Sequence, residues 1–218
     1  MGSLRLLIAD DHEIFRAGVR CLLENQPGWQ VVAEAANGRE AVAKAAKTRP
    51  DVALLDIGMP VLNGLEAAVQ IARRGLRTRI VMLAVHDSDV MINKVLTCGA
   101  RGYIFKTDAA RDLISAVKAV ESDTTFFTAK VAEVVLNGFK RNGSRADSGE
   151  SPSSRLTARQ LEITQLLAEG RTTKEVAAFL GISLKTAETH RSNLMHRLHC
   201  RSAAELVRYA MRNLIIEA

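Results

Sequence analysis

The chain has 218 residues, 47% hydrophobic and 25% charged, enough apolar material for a sizeable core of one or two domains and too much for a wholly disordered polymer. No apolar run approaches the roughly 20 residues that cross a bilayer, and no signal-peptide pattern precedes the first strand-like segment, so the cytoplasm is expected and no membrane partner. The net charge of +6 is unevenly spread, with 10 Lys+Arg against 6 Asp+Glu in residues 155–218 and 20 against 18 in residues 1–154; the surplus hints at nucleic acid, while 4% aromatic content argues against single-strand binders that stack bases.

In chain order, short β-rich apolar runs fall at Leu4–Ala9, Gln30–Ala35, Val52–Leu55, Ile80–Ala84 and Gly102–Phe105. Helical periodicity fills the gaps, at Arg16–Leu23, Gly38–Ala46, Leu65–Ala72 and Asp89–Thr97, and follows the last run at Ala109–Val120. Strands and helices that alternate in this way predict an α/β fold, a five-stranded parallel sheet covered by helices on both faces. A connecting helix is expected near 128–140. Residues 141–154 (RNGSRADSGESPSS) hold a single apolar residue, Ala146. They cannot repay their ordering entropy by burial and read as a flexible linker.

Beyond the linker there is no strand signal. Helices are expected at Thr157–Glu169, Thr173–Leu180, Leu184–Leu198 and Ser202–Asn213, with Gly170 as a stop and Ser202 with Glu205 as a capping box. The predicted division is therefore 1–125, 126–155 and 156–218, the last a small all-α domain. Cys21, Cys98 and Cys200 are odd in number, far apart and without zinc spacing, which fits a reducing compartment.

Ligands of doubly wound sheets sit outside the carboxyl ends of the strands. There the chain places Asp10 and Asp11 after the first strand, Asp56 at the third, Ala84 at the fourth and Lys106 after the fifth. Taken singly these are ordinary turn and cap residues. Together, three carboxylates repel one another unless a hard divalent cation such as Mg²⁺ compensates. An Asp carboxylate beside such a cation can accept a phosphoryl group, with metal and lysine neutralising its oxygens.

The pieces LLIADDHEIFRAGV, ALLDIGMPVLNGLEA and GARGYIFKTD resemble the receiver domain of two-component response regulators, over residues 4–121. The resemblance implies a flavodoxin-like (βα)5 receiver. It implies phosphorylation of Asp56 by a sensor histidine kinase or a small acyl phosphate, and Mg²⁺ held by Asp10, Asp11 and Asp56 with the backbone carbonyl of Gly58. It further implies that Lys106 contacts the phosphoryl group and that Tyr103 is the switch aromatic. One position departs: where the family carries Ser or Thr, 22 residues before the lysine, this chain has Ala84. The missing hydroxyl implies weaker coupling between Asp56 and Tyr103. The chain lacks the second acid, two residues on, that aspartyl-phosphate phosphatases need: His12 and Glu13 stand there. The acids of ADDHEI also disfavour a flavin phosphate, so no enzyme is expected.

A helix-turn-helix needs a small residue where its helices cross, a turn glycine and apolar locks. Ala177, Gly181 and the set Val176, Leu180, Ile182 and Ala187 meet these needs, and Ser183 is placed to cap the next helix. Lys185 and Arg191, with Lys174 from the preceding helix, are the expected phosphate contacts; Thr189 and Ser192, with Thr186 nearby, are the polar candidates for base edges. Glu188 is expected to pair with a neighbouring Lys or Arg in preference to cytosine. Residues 156–212 resemble the LuxR-type DNA-binding domain, so the whole chain resembles a response regulator of the NarL/FixJ type. That implies sequence-specific binding of double-stranded DNA as a homodimer, through the C-terminal helix, where Leu206, Val207 and Ala210 offer an apolar face, or through the receiver. The alternative is a pseudo-receiver transcription factor governed by protein partners independently of phosphate.

Overall fold

The computed structural model describes residues 3–85, 89–128, 131, 133 and 156–216. The connecting helix near 128–140 and the 141–154 linker lie almost entirely outside the described residues. Two compact units are present.

In the first unit, β1 (Leu4–Ala9), β2 (Trp29–Ala35), β3 (Val52–Asp56), β4 (Arg79–Ala84) and β5 (Gly102–Phe105) alternate with α1 (Glu13–Glu24), α2 (Gly38–Thr48), α3 (Gly64–Arg73) and α4 (Asp89–Thr97), and α5 (Ala109–Glu121) follows β5. All strand pairs are parallel, in the order β2-β1-β3-β4-β5. The central strands are apolar at nearly every position because both faces of the sheet are covered. Leu6, Ile8, Leu54, Val81, Leu83 and Ile104 turn to one face and pack with Val19 and Leu23 of α1 and Leu113, Ala116, Val117 and Val120 of α5. Helices α2 and α3 pack together with buried Ala41, Ala45, Ala67, Ala68 and Ile71.

Most bounds lie within two residues of the sequence reading, and two departures are larger. Helix α1 begins at Glu13, three residues early, because the Asp10 carboxylate accepts the His12 backbone N–H at 2.9 Å and turns the chain into the helix. Apolar periodicity carries no trace of that bond. Phe126, placed in the connector by the sequence, pairs with β5: its N–H donates to Arg101 and its carbonyl accepts from Tyr103, at 2.9 and 3.0 Å, while its ring packs on the core.

The second unit is α6 (Ala158–Ala168), α7 (Thr173–Leu180), α8 (Leu184–Arg197) and α9 (Ala203–Arg212). Thr157 and Thr172 begin α6 and α7 with reciprocal capping boxes, and Ser183 caps α8 by accepting from Thr186 N–H. The expected box at α9 is half made. Ser202 accepts from Glu205 N–H, but the Glu205 carboxylate reaches one residue further back and takes Arg201 N–H at 2.6 Å. Gly181 ends α7 at φ 64°, the left-handed turn a glycine tolerates best. Leu206 and Ala210 are buried and Val207 packs against the same cluster as Ala168 and Ile215. The apolar face of α9 is thus largely spent within its own unit, leaving Met211 as its exposed large apolar side chain.

Candidate functional site

Between β1 and β3 the chain reverses its direction of winding, and the crevice at such a switch point is where doubly wound sheets take ligands. Asp10 follows β1 and is fully buried; Asp56 is the last residue of β3 and 3% exposed. Lys106, at the turn Lys106–Asp108 after β5, reaches across with its Nζ 2.8 Å from Asp10 Oδ2 and 3.0 Å from Asp56 Oδ2. Asp11 lies at the exposed mouth and Gly58 in the loop after β3. Gly64 lines that loop, where an added Cβ would collide with the Asp56 carbonyl oxygen, so the close approach demands glycine.

Burial and the neighbouring Asp10 push the Asp56 carboxyl up to about 6, against the opposing pull of Lys106. Burial draws the Lys106 ammonium down, but its hydrogen bonds to Asp10 and Asp56 outweigh this and hold it above the ordinary lysine range. Three carboxylates and one ammonium leave the pocket short of positive charge. Asp10, Asp11, His12 and Asp56 each offer one ligand atom within 4.8 Å of the others. A donor set dominated by carboxylate oxygen fits a hard divalent cation.

Three further residues shape the pocket, and the sequence reading gave them no part. Arg16 donates to the Asp10 carbonyl at 2.7 Å and to Glu34 at 3.1 Å, which fixes the β1–α1 turn. The Lys106 Nζ lies over the Phe15 ring, 5.0 Å from its centroid, a cation–π contact. His12 sets Nδ1 3.0 Å from Asp11 Oδ1. All three stand in ADDHEIFR, but the pattern names no partner for them.

Ala84 ends β4 and is 1% exposed, so no hydroxyl stands at that position. Tyr103 on β5 is fully buried, its ring edge-on to Phe105 with centroids 5.3 Å apart. Val85, the next residue, is 45% exposed.

In the second unit, Lys185, Glu188, Thr189 and Ser192 stand at i, i+3, i+4 and i+7 along α8, one face, and all are exposed. Buried Ala187 and Leu194 hold the opposite side. Lys174 is exposed on α7. Two expected DNA contacts fall off this face. Thr186 lies at the cap, its hydroxyl 2.8 Å from that of Ser183, and Arg191 donates to Thr173 Oγ1 of α7 at 2.8 Å. Glu188 has no hydrogen bond or ion pair to another described residue, because Arg191, its i+3 cation, is held by Thr173. The ion pair expected from the sequence is therefore not formed.

An acidic pocket with a buried lysine at a sheet switch point, carried in one chain with a helix-turn-helix, is the arrangement of a two-component response regulator. The family model for the response regulator receiver domain matches residues 6–118, and that for bacterial regulatory proteins of the luxR family matches 154–210. The oxygen regulatory protein NreC of Staphylococcus carnosus is 37% identical over 98% of this chain and 100% of its own length. The transcriptional regulatory protein LiaR of Bacillus subtilis is 36% identical over 98% and 99%. A two-component response regulator of the LuxR family from Aurantimonas sp. superposes with a TM-score of 0.59 at 30% identity, over 64% of this chain and 99% of that one. The RcsB response regulator of Salmonella typhimurium matches at 0.57 and 25%, over 97% and 100%. The chain belongs to the NarL/FixJ type of response regulators, with a receiver and a LuxR-type DNA-binding domain. Members of this family are transcription regulators, and no helix among the described residues is long and apolar enough to cross a membrane.

Proposed function

We propose that Asp56 is the phosphoryl acceptor and that its modification controls DNA binding by residues 156–218. The observation that carries this reading is the Lys106 ammonium between two buried carboxylates, 2.8 and 3.0 Å away. An Asp56 oxygen forms the new bond to phosphorus. The bond that breaks joins phosphorus to the histidine nitrogen of a sensor kinase, or to the acyl oxygen of a small phosphodonor, which leaves with the electron pair. Asp10, Asp11 and Asp56, with the Gly58 carbonyl, would hold Mg²⁺, which when bound supplies charge neutralisation for the transferred group. Lys106, freed from Asp56 as that carboxylate becomes an acyl phosphate, keeps its bond to Asp10 and turns to the incoming oxygens.

Residues 1–125, with Phe126 paired to β5, act as the receiver, and the rest of 126–155 as connector and linker. The protein works in the cytoplasm as a homodimer on two DNA half-sites, with Lys174 and Lys185 on phosphates and Thr189 and Ser192 at base edges. Thr186 and Arg191 support the recognition helix from its edges. Without a hydroxyl at Ala84, coupling from Asp56 to Tyr103 is weak. A charge-assisted hydrogen bond of about 1.5–3 kcal/mol shifts a switch population by roughly 10- to 100-fold.

Labelling with acetyl phosphate tests the reading. Mg²⁺-dependent modification of Asp56, absent from Asp56→Asn, is expected. No labelling, with DNA binding undiminished in Asp56→Asn, would overturn it in favour of a pseudo-receiver governed by protein partners. Ala84→Thr is expected to enlarge the gain in dimerisation on phosphoryl-mimic addition; equal gains in both proteins would remove Ala84 from the mechanism.

A further inference from the structure

The second unit carries five described carboxylates, and four are engaged. Glu162 pairs with Arg159 at 2.8 Å, Glu169 accepts from Gln165 at 2.9 Å, Glu175 accepts from Thr172 N–H at 2.7 Å, and Glu205 accepts from Arg201 N–H at 2.6 Å. Glu188 alone among them has no partner among the described residues. It does not sit on an idle surface. It shares the exposed face of α8 with Lys185, Thr189 and Ser192, in a segment whose charge balance is otherwise basic.

A carboxylate on a face that approaches DNA is repelled by every nearby phosphate, and an unpaired one loses its water with nothing in return. Both costs are offset where the carboxylate meets a donor on the floor of the groove. In the major groove the amino groups of cytosine N4 and adenine N6 are the donors, and an acid suits cytosine, because adenine sets an N7 acceptor beside its amino group. Two cations stand near Glu188 in sequence. Arg191 is tied to Thr173. Lys185 precedes Glu188 on the helix, the weaker order for such a pair, and is free to take a phosphate.

Resting on the DNA-binding reading above, we propose that Glu188 is a specificity-determining residue that accepts a hydrogen bond from the N4 amino group of a cytosine in each half-site. Thr189, next along the face, lies over the adjacent base pair, where its methyl group favours thymine.

The test is selection of bound sequences from randomised duplex DNA by the full chain, with the wild type, Glu188→Gln and Glu188→Ala run in parallel. The wild type is expected to enrich a two-fold motif with one cytosine position in each half-site. At that position Glu188→Ala loses about 10-fold in discrimination, while its affinity for unrelated DNA rises because a negative charge has gone. Glu188→Gln shifts the preference at the same position toward adenine, whose N6 and N7 a carboxamide matches. Glu188 is exposed, so unchanged thermal melting confirms that both variants are folded. Identical motifs from all three proteins would overturn the proposal and leave the DNA-binding reading standing. No enriched motif from the wild type would overturn that reading itself.

Discussion

Replacing Asp56 by Asn is expected to stabilise the first unit, and to do so only above acidic pH. Asp56 is 3% exposed, and burial together with Asp10 raises its carboxyl from 3.8 to about 6. The folded state therefore holds the proton more tightly than the unfolded state. Its contribution is fully present below pH 4 and is lost as pH rises to about 6. Above that the ionised carboxylate costs the fold about 3 kcal/mol, from a shift of roughly two units at 1.36 kcal/mol each. Asparagine has nearly the same shape and no charge. The stabilities of the two proteins should coincide near pH 4, diverge between pH 4 and 6, and stay apart above it, by roughly 10 °C in melting temperature. The single tryptophan, Trp29 on β2, reports unfolding of this unit in urea or heat, with chelator present. Added Mg²⁺ should close the gap by stabilising the wild type more than the variant. A gain equally large at pH 4 and pH 8 would refute the electrostatic origin. A variant less stable than wild type at pH 8 would show the Lys106–Asp56 pair to be net stabilising.

Gly64→Ala drives a methyl group into the Asp56 carbonyl; a loss of about 3 kcal/mol is expected in urea unfolding, with acetyl phosphate labelling impaired as well. In the second unit, Gly181→Ala forces a side chain into φ 64° and should cost about 1–2 kcal/mol, read as a lower melting temperature with the turn of the helix-turn-helix loosened. Lys185→Ala should weaken DNA binding almost equally on all sequences and reduce the slope of log affinity against log salt by about 1. A change of preferred sequence in that variant would instead make Lys185 a base reader.

Much of this protein is local in origin, and the local part is legible in the chain. The strands Leu4–Ala9 and Gly102–Phe105 and the helices Asp89–Thr97 and Thr173–Leu180 have the bounds that apolar runs, β-branched residues and turn residues mark out. Ser183 and Gly181 act where they stand because a cap and a left-handed turn involve only near neighbours. The convergence of Asp10, Asp56 and Lys106 follows from topology, since every strand of a parallel sheet delivers its last residue to one rim.

Tertiary structure alone decided the pairings. Arg16 serves the Asp10 carbonyl and Glu34, Phe15 sets its ring against the ammonium of a lysine 91 positions away, and Phe126 joins β5. Arg191 donates to Thr173, and Glu188 is left without an ion pair to another described residue. The apolar face of α9 became core because α6 lay against it. Residue type and spacing determine which groups stand at the rim of the sheet or along a helix. Which of them spend their hydrogen bonds on one another, and which stay free for a ligand, depends on distances that exist only once the chain has closed.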